Sequence, residues 1–179
     1  MRTPFLILTL IGGLGLSGCA SFDVGRYGVS VENNAALKKL GGAKVAVGPF
    51  TAAEPGKKEI SCRAVGPIKT PDEQPFEDWI RKALIDELTV ADLLVDSAPV
   101  TLTGKVNKID FDSMAGDWFL DLTVTSSNGR SLSVANTYNY GFTYVGETAC
   151  ARTAKSFAPA VQVLIGKLVY DARFADLLK

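Results

Sequence analysis

Residues 117–142 read DWFLDLTVTSSNGRSLSVANTYNYGF, two alternating runs on either side of an Asn-Gly pair. Trp118, Leu120, Leu122 and Val124 alternate with Asp117, Asp121, Thr123 and Thr125. A period of two with one apolar and one polar set predicts a strand with a buried face and a wet face. Asn128-Gly129 predicts a tight turn. Beyond it Leu132, Val134, Tyr138, Tyr140, Phe142 and Tyr144 keep one parity, so all six are expected on the core side. Upstream, Val100, Leu102 and Val106 share one parity while Ile109 and Phe111 share the other. That switch predicts a bulge near Asn107-Lys108. The result is a three-stranded antiparallel meander.

The flanks supply helices. Phe76, Trp79, Ile80, Ala83, Leu84 and Leu88 form the stripe of a helix packed on one face. Pro75 suits its first turn, and Asp72, Glu73, Glu77 and Asp78 complement its positive start. Ser97 and Pro99 follow its end. Earlier, Ala43 to Phe50 predicts a short strand, and residues 51–72 a long connection in which Glu59 to Val65 forms a second strand carrying Cys62. Near the C-terminus Phe157, Val161, Leu164, Ile165 and Leu168 make a second stripe. Its helix is expected to start at a Ser156 cap so that Pro159 is tolerated, with Thr148 to Lys155 as a separate turn positioning Cys150. Residues 173–179 dock the tail. The expected class is α+β: an antiparallel sheet of about four to five strands in β-α-β-β-β-α order, with two amphipathic helices on one face.

The N-terminus carries a different message. Arg2, the apolar run from Phe5 to Leu16, and small residues at Gly15, Ser17 and Gly18 have the parts of a secretory signal. The run is too short to span a ~30 Å hydrocarbon core. Leu16-Ser17-Gly18-Cys19 resembles the lipobox of bacterial lipoproteins. The resemblance implies cleavage before Cys19 and a multiply acylated cysteine, palmitate included, which holds far more firmly than one chain. Ala20 stands where an aspartate is the usual inner-membrane retention signal, so the outer membrane, facing the periplasm, is the expected location. The expected organisation is a signal peptide over 1–18, a lipidated tether over 19–42 and one domain over 43–179. Residues 20–42 are small, polar and glycine-punctuated, with at most a helical turn at Ala35 to Leu40.

Composition excludes several classes. The whole chain balances 19 basic against 19 acidic residues, and removing Arg2 with the signal leaves minus one. That is no footprint for nucleic acid. There is no histidine, which removes the commonest general base and His-containing zinc sites. Cys62 and Cys150, the two cysteines besides Cys19, read as one disulfide in an exported protein. Gly13-Leu14-Gly15-Leu16-Ser17-Gly18 matches a dinucleotide fingerprint only as a string, since it follows no strand. Asp110, Asp112, Asp117 and Asp121 suggest a calcium loop, but Met114 and Ala115 occupy positions that need a ligand and a glycine. Ser156 beside Lys155 lacks the geometry of a dyad. No catalytic, cofactor or metal residue is therefore expected.

The element order, with TLTGKV at 101–106 and SFAPAVQVLIGKL at 156–168, resembles a group of small envelope domains. The group comprises the N-terminal domain of the TolB translocation protein, the periplasmic domain of the curli secretion lipoprotein and the auxiliary lipoproteins of envelope ABC transporters. The resemblance spans about residues 43–170 and implies a non-catalytic adaptor with an envelope protein as partner. The alternatives are a peptidoglycan or glycan binder, which needs exposed aromatics on the last strand, and a carboxylate-based periplasmic enzyme, which needs titratable groups converging in a cleft.

Overall fold

The computed structural model describes residues 21–179. In chain order its elements are β1 (Phe22–Asp23), α1 (Val31–Lys38), β2 (Val45–Ala52), β3 (Glu59–Cys62), β4 (Gly66–Lys69), α2 (Phe76–Val90), β5 (Val100–Asp112), β6 (Asp117–Ser126), β7 (Ser131–Asn139), α3 (Gly146–Tyr170) and α4 (Phe174–Leu177). The α+β class is as expected. The main sheet runs β2-β5-β6-β7, with β5, β6 and β7 as the antiparallel meander. β2 joins it in parallel, because its route to β5 includes the helix α2, and a crossover of that kind suits a parallel neighbour. The register slips between Val106 and Lys108, which leaves Asn107 as the bulged residue. Its amide donates to Asp121 Oδ1 at 2.9 Å and Thr123 Oγ1 at 2.8 Å.

A second sheet, β1-β4-β3, lies outside the meander. β3 and β4 form a hairpin turned by Arg63 and Ala64, both with left-handed backbone (φ 46° and 54°). β1 adds to β4 in parallel. Neither β1 nor β4 is legible in the sequence: one is two residues long, and the other contains Pro67, a residue that strands carry mainly at edges.

Both helices pack on the same face of the main sheet, and Phe157 of α3 is the hub. Its ring lies 5.3 Å from Phe76, 4.8 Å from Trp79 and 4.9 Å from Trp118, between centroids. The Trp118 indole N–H donates to the Thr153 carbonyl at 2.9 Å, which satisfies the polar handle of a fully buried ring. Across the β2–β5 pair Phe50 faces Gly104, and a Cβ at 104 would lie 2.5 Å from the Phe50 ring. Glycine there lets the ring lie flat on the strand.

Three expectations need correction. Residues 21–40, expected as part of a tether, are folded onto the body: Val24, Asn33, Ala36 and Leu37 are buried. The buried side of α1 is half polar, so it leaves no apolar period to read. α3 is one continuous helix, without a separate turn at 148–155. Ser156 does not cap; its hydroxyl donates back to the Arg152 carbonyl at 2.5 Å. Pro159 removes one helix bond, and burial of Cys150, Ala154, Phe157, Val161 and Leu164 on either side outweighs that loss. Finally, β7 ends at Asn139, so the chain leaves the sheet before Phe142.

Candidate functional site

The chain enters the domain at the end marked by the disulfide. Phe22 pairs with Ile68 and Asp23 with Lys69, and the Val24 N–H donates to the Lys69 carbonyl at 2.8 Å. Because β1 runs parallel to β4, the chain arrives at Phe22 from the side on which β4 leaves the Arg63-Ala64 turn. Cys62 and Cys150 are bonded, with Cα atoms 5.9 Å apart and 88 residues between them in sequence. The bond pins the β3–β4 hairpin to the first turns of α3. Cys19 lies outside the described residues. Among the described residues no helix is long and apolar enough to cross a membrane.

Three loops converge at this end, and Arg63 ties them together. Its Nε donates to Ser113 Oγ at 2.9 Å, and its terminal nitrogens donate to the carbonyls of Ser113, of Thr143 at 3.1 Å and of Tyr144 at 3.2 Å. The β5–β6 turn is closed by Asp112, whose Oδ1 accepts from the N–H groups of Met114 (2.7 Å) and Ala115 (3.0 Å). Gly116 (φ 77°) then abuts the 141–142 backbone so closely that a Cβ would meet the Gly141 carbonyl oxygen at 2.4 Å. Gly146 in turn sits against Val65. Nothing in the sequence near Arg63 announces this role, since its carbonyl partners are 50 to 81 residues away.

The aromatics expected on one buried parity divide here. Tyr138 and Tyr140 pack against the core, and the Tyr140 hydroxyl is 2.7 Å from Thr153 Oγ1. Burial, helped by the charges of Asp112 and Asp117, raises the Tyr140 pKa. Phe142 and Tyr144 are exposed. Gly141 (φ 83°) turns the chain just after β7, which breaks the alternation. Their rings meet edge to face, with an interplanar angle of 82°, so they share no flat platform for a sugar. Asn136 occupies the core parity between Val134 and Tyr138, and its amide donates to the Ala160 carbonyl at 3.1 Å.

The acids have structural partners. Asp117 accepts from Asn139 at 2.8 Å, and Asp121 from Asn107. Among the described residues no group of three or more His, Cys, Asp or Glu is placed to hold a metal ion. The most buried carboxylate is Glu87, with no solvent exposure. One of its oxygens accepts from Tyr27 Oη at 2.6 Å, the Ser30 N–H at 2.9 Å and Asn33 Nδ2 at 3.3 Å. Asn33 also donates to the Gln162 carbonyl at 2.9 Å, so the cluster locks α1 to α2 and α3. Burial first, then the bond to Glu87, raises the Tyr27 pKa. The sequence does carry a hint of this cluster: Glu87 falls on the apolar stripe of α2, beside Leu84 and Leu88. Glu77 is similar, buried and accepting from the Gly56 N–H at 2.7 Å.

Two concavities flank the cluster. A groove of about 460 Å³ between α1 and α3 is lined by Ser30, Glu32, Asn33, Gln162, Gly166 and Tyr170. A smaller cleft of about 140 Å³ holds Arg26, Asp72, Lys82 and Asp86. Its charges pair with each other, Arg26 with Asp72 at 2.9 Å and Lys82 with Asp86 at 2.8 Å.

No protein-family model matches the chain, and no curated protein sequence matches it. Among solved structures it is similar to a DUF330-family protein from Xanthomonas campestris, at 13% identity and a TM-score of 0.54, over 88% of this chain and 96% of that one. A second similar structure, described as a "putative lipoprotein" from Caulobacter crescentus, matches at 15% identity and a TM-score of 0.34, over 82% and 94% of the two chains. The likeness to the DUF330 protein is a likeness of fold: this chain has the architecture of that structure across nearly its whole length.

Proposed function

We propose that this chain is a bacterial envelope lipoprotein, anchored through acylated Cys19 in the outer membrane with its body in the periplasm. It acts by binding, as an accessory component of an envelope transport or assembly system, and not by turnover. The observation that carries the reading is Leu16-Ser17-Gly18-Cys19, placed after a basic residue and a short apolar run. The Cys62–Cys150 bond supports it, because disulfides persist in oxidising compartments. The non-catalytic part is supported by the use made of the ionisable groups. One oxygen of Glu87 and one of Glu77 are spent on donors within the fold, and the charges of the small cleft neutralise one another. A working acid or base needs access to a substrate proton, which the buried carboxylates lack.

The test is fractionation of cells making the full chain. The wild-type protein is expected in the outer-membrane fraction and, after purification, to carry acyl mass on Cys19. Cys19→Ala should be absent from lipid-modified material and be released by an alkaline wash, since among the described residues no helix is long and apolar enough to hold it. Retention of Cys19→Ala through that wash would overturn the anchoring. Affinity capture of cross-linked wild-type protein should bring down envelope proteins as discrete partners; a purified domain that turns over a substrate would overturn the adaptor reading.

A further inference from the structure

We infer that the loop cluster at the disulfide end is a membrane-contacting tip, which docks on the phospholipid surface that holds the anchor. The inference rests on the reading of Cys19 as lipidated. The tip is apolar and open: Tyr144 is 82% exposed, Val145 61% and Met114 56%, with Phe142 and Val65 beside them. These residues come from three separate loops, and among the described residues no element covers them. Solitary exposed apolar residues are ordinary, whereas a contiguous set of them marks a contact surface.

The chain itself points to the occupant. Cys19 is three residues before Phe22, so its Cα lies within about 11 Å of the Phe22 Cα whatever path it takes. Phe22 pairs with Ile68, three residues along from Val65. With a rise of ~3.3 Å per residue, that places Phe22 about 10 Å below the tip. The parallel pairing makes the chain arrive from the tip side. A lipid on Cys19 therefore brings the bilayer to the level of Met114, Phe142 and Tyr144, and to no other exposed apolar group on α1 or the far end of α3.

The chemistry suits a headgroup layer. Tyr144 has the apolar body and polar hydroxyl that favour a membrane–water interface, and Met114, Val145 and Phe142 supply area to bury. Arg152, exposed and donating to the Phe142 carbonyl at 3.4 Å, stands at the rim where lipid phosphates would lie. Glu147, Asp112 and Asp117 are acids on the same side; the Asp112 carboxylate is occupied by its own turn and Asp117 accepts from Asn139. The tip is also preorganised, because the disulfide and the Arg63 bonds hold the loops in place, so docking orders little.

The experiment uses the lipidated full-length protein in vesicles of phosphatidylethanolamine and phosphatidylglycerol with brominated acyl chains. Tyr144→Trp puts an indole at the tip. Tyr170→Trp puts one at the other end of α3, about 36 Å away at 1.5 Å per residue. The native Trp79 and Trp118 are buried, so the unsubstituted protein gives the background. The expected result is about a twofold loss of the added emission for Tyr144→Trp and none for Tyr170→Trp, since interfacial residues sit within roughly 5–10 Å of the acyl boundary. Equal quenching at both ends, or none at the tip of a protein that is acylated and floats with the vesicles, overturns the inference; the second result would leave the tip to a protein partner. A protein whose Cys19 carries no acyl mass and does not float overturns the anchor reading instead, and the inference falls with it.

Discussion

Tyr27 and Glu87 form the buried polar contact that ties the N-terminal segment to α2. The phenol donates a 2.6 Å bond to a carboxylate with no solvent exposure, so removing it leaves that buried oxygen with the Ser30 and Asn33 donors alone. Tyr27→Phe is expected to cost about 1–3 kcal/mol at neutral pH, read by urea unfolding. The same bond and the burial around it give a pH dependence. Folding raises the Tyr27 pKa, so the native state keeps a proton that the unfolded chain releases near pH ~10. Stability from this group is intact below about pH 10 and falls as pH rises beyond it. Tyr140, raised mainly by burial, acts in the same direction. Tyr27→Phe should therefore flatten the alkaline fall in stability without abolishing it. An unchanged alkaline limb would show that the phenol ionises freely in the native state.

Among the elements, α1 and the disulfide carry the sharpest tests. Leu37 is fully buried in a segment whose composition suggests a tether. Leu37→Ala is expected to cost about 2–5 kcal/mol, the range for emptying a core leucine site; a loss under about 0.5 kcal/mol, normal for a surface change, would mean that α1 is not docked in solution. The Cys62–Cys150 bond closes a separation of 88 residues. Replacing both cysteines by serine should lower stability by about 4–5 kcal/mol in the chain-entropy model. Most of the local effect should fall on the β3–β4 hairpin and the first turns of α3, visible as faster amide exchange there.

Over the molecule as a whole, one aromatic cluster joins α2, α3 and the main sheet, and the chain's two tryptophans both belong to it. Their emission should be blue-shifted and weakly quenched by acrylamide. Its loss on urea titration should coincide with loss of helical circular dichroism, as a cooperative domain requires. An earlier helical transition would mean that a helix unfolds independently of the core. The polar face of the sheet, where Thr123 and Ser133 bond at 2.7 Å, stays on the outside of this cluster.

Much of this architecture was legible because it depends on neighbours in sequence. The parity of β5, β6 and β7 is set by every second residue, and the stripe of α2 by every third or fourth, so a window of a dozen residues contains the whole signal. The bulge at Asn107 could be placed for the same reason, as a change of parity within one strand. The disulfide followed from a count of two cysteines beyond Cys19. The rest is decided by contacts between distant parts of the chain. The parallel seat of β2 depends on where α2 returns the chain. The docking of α1 depends on a carboxylate 54 residues away, and the union of the tip loops on Arg63 reaching carbonyls 50 to 81 residues off. Phe142 and Tyr144 continue the parity of β7 in the sequence and yet face solvent, because a left-handed glycine at 141 ends the strand's geometry before its pattern ends. Periodicity records which residues want burial; only the assembled backbone decides which of them find something to be buried against.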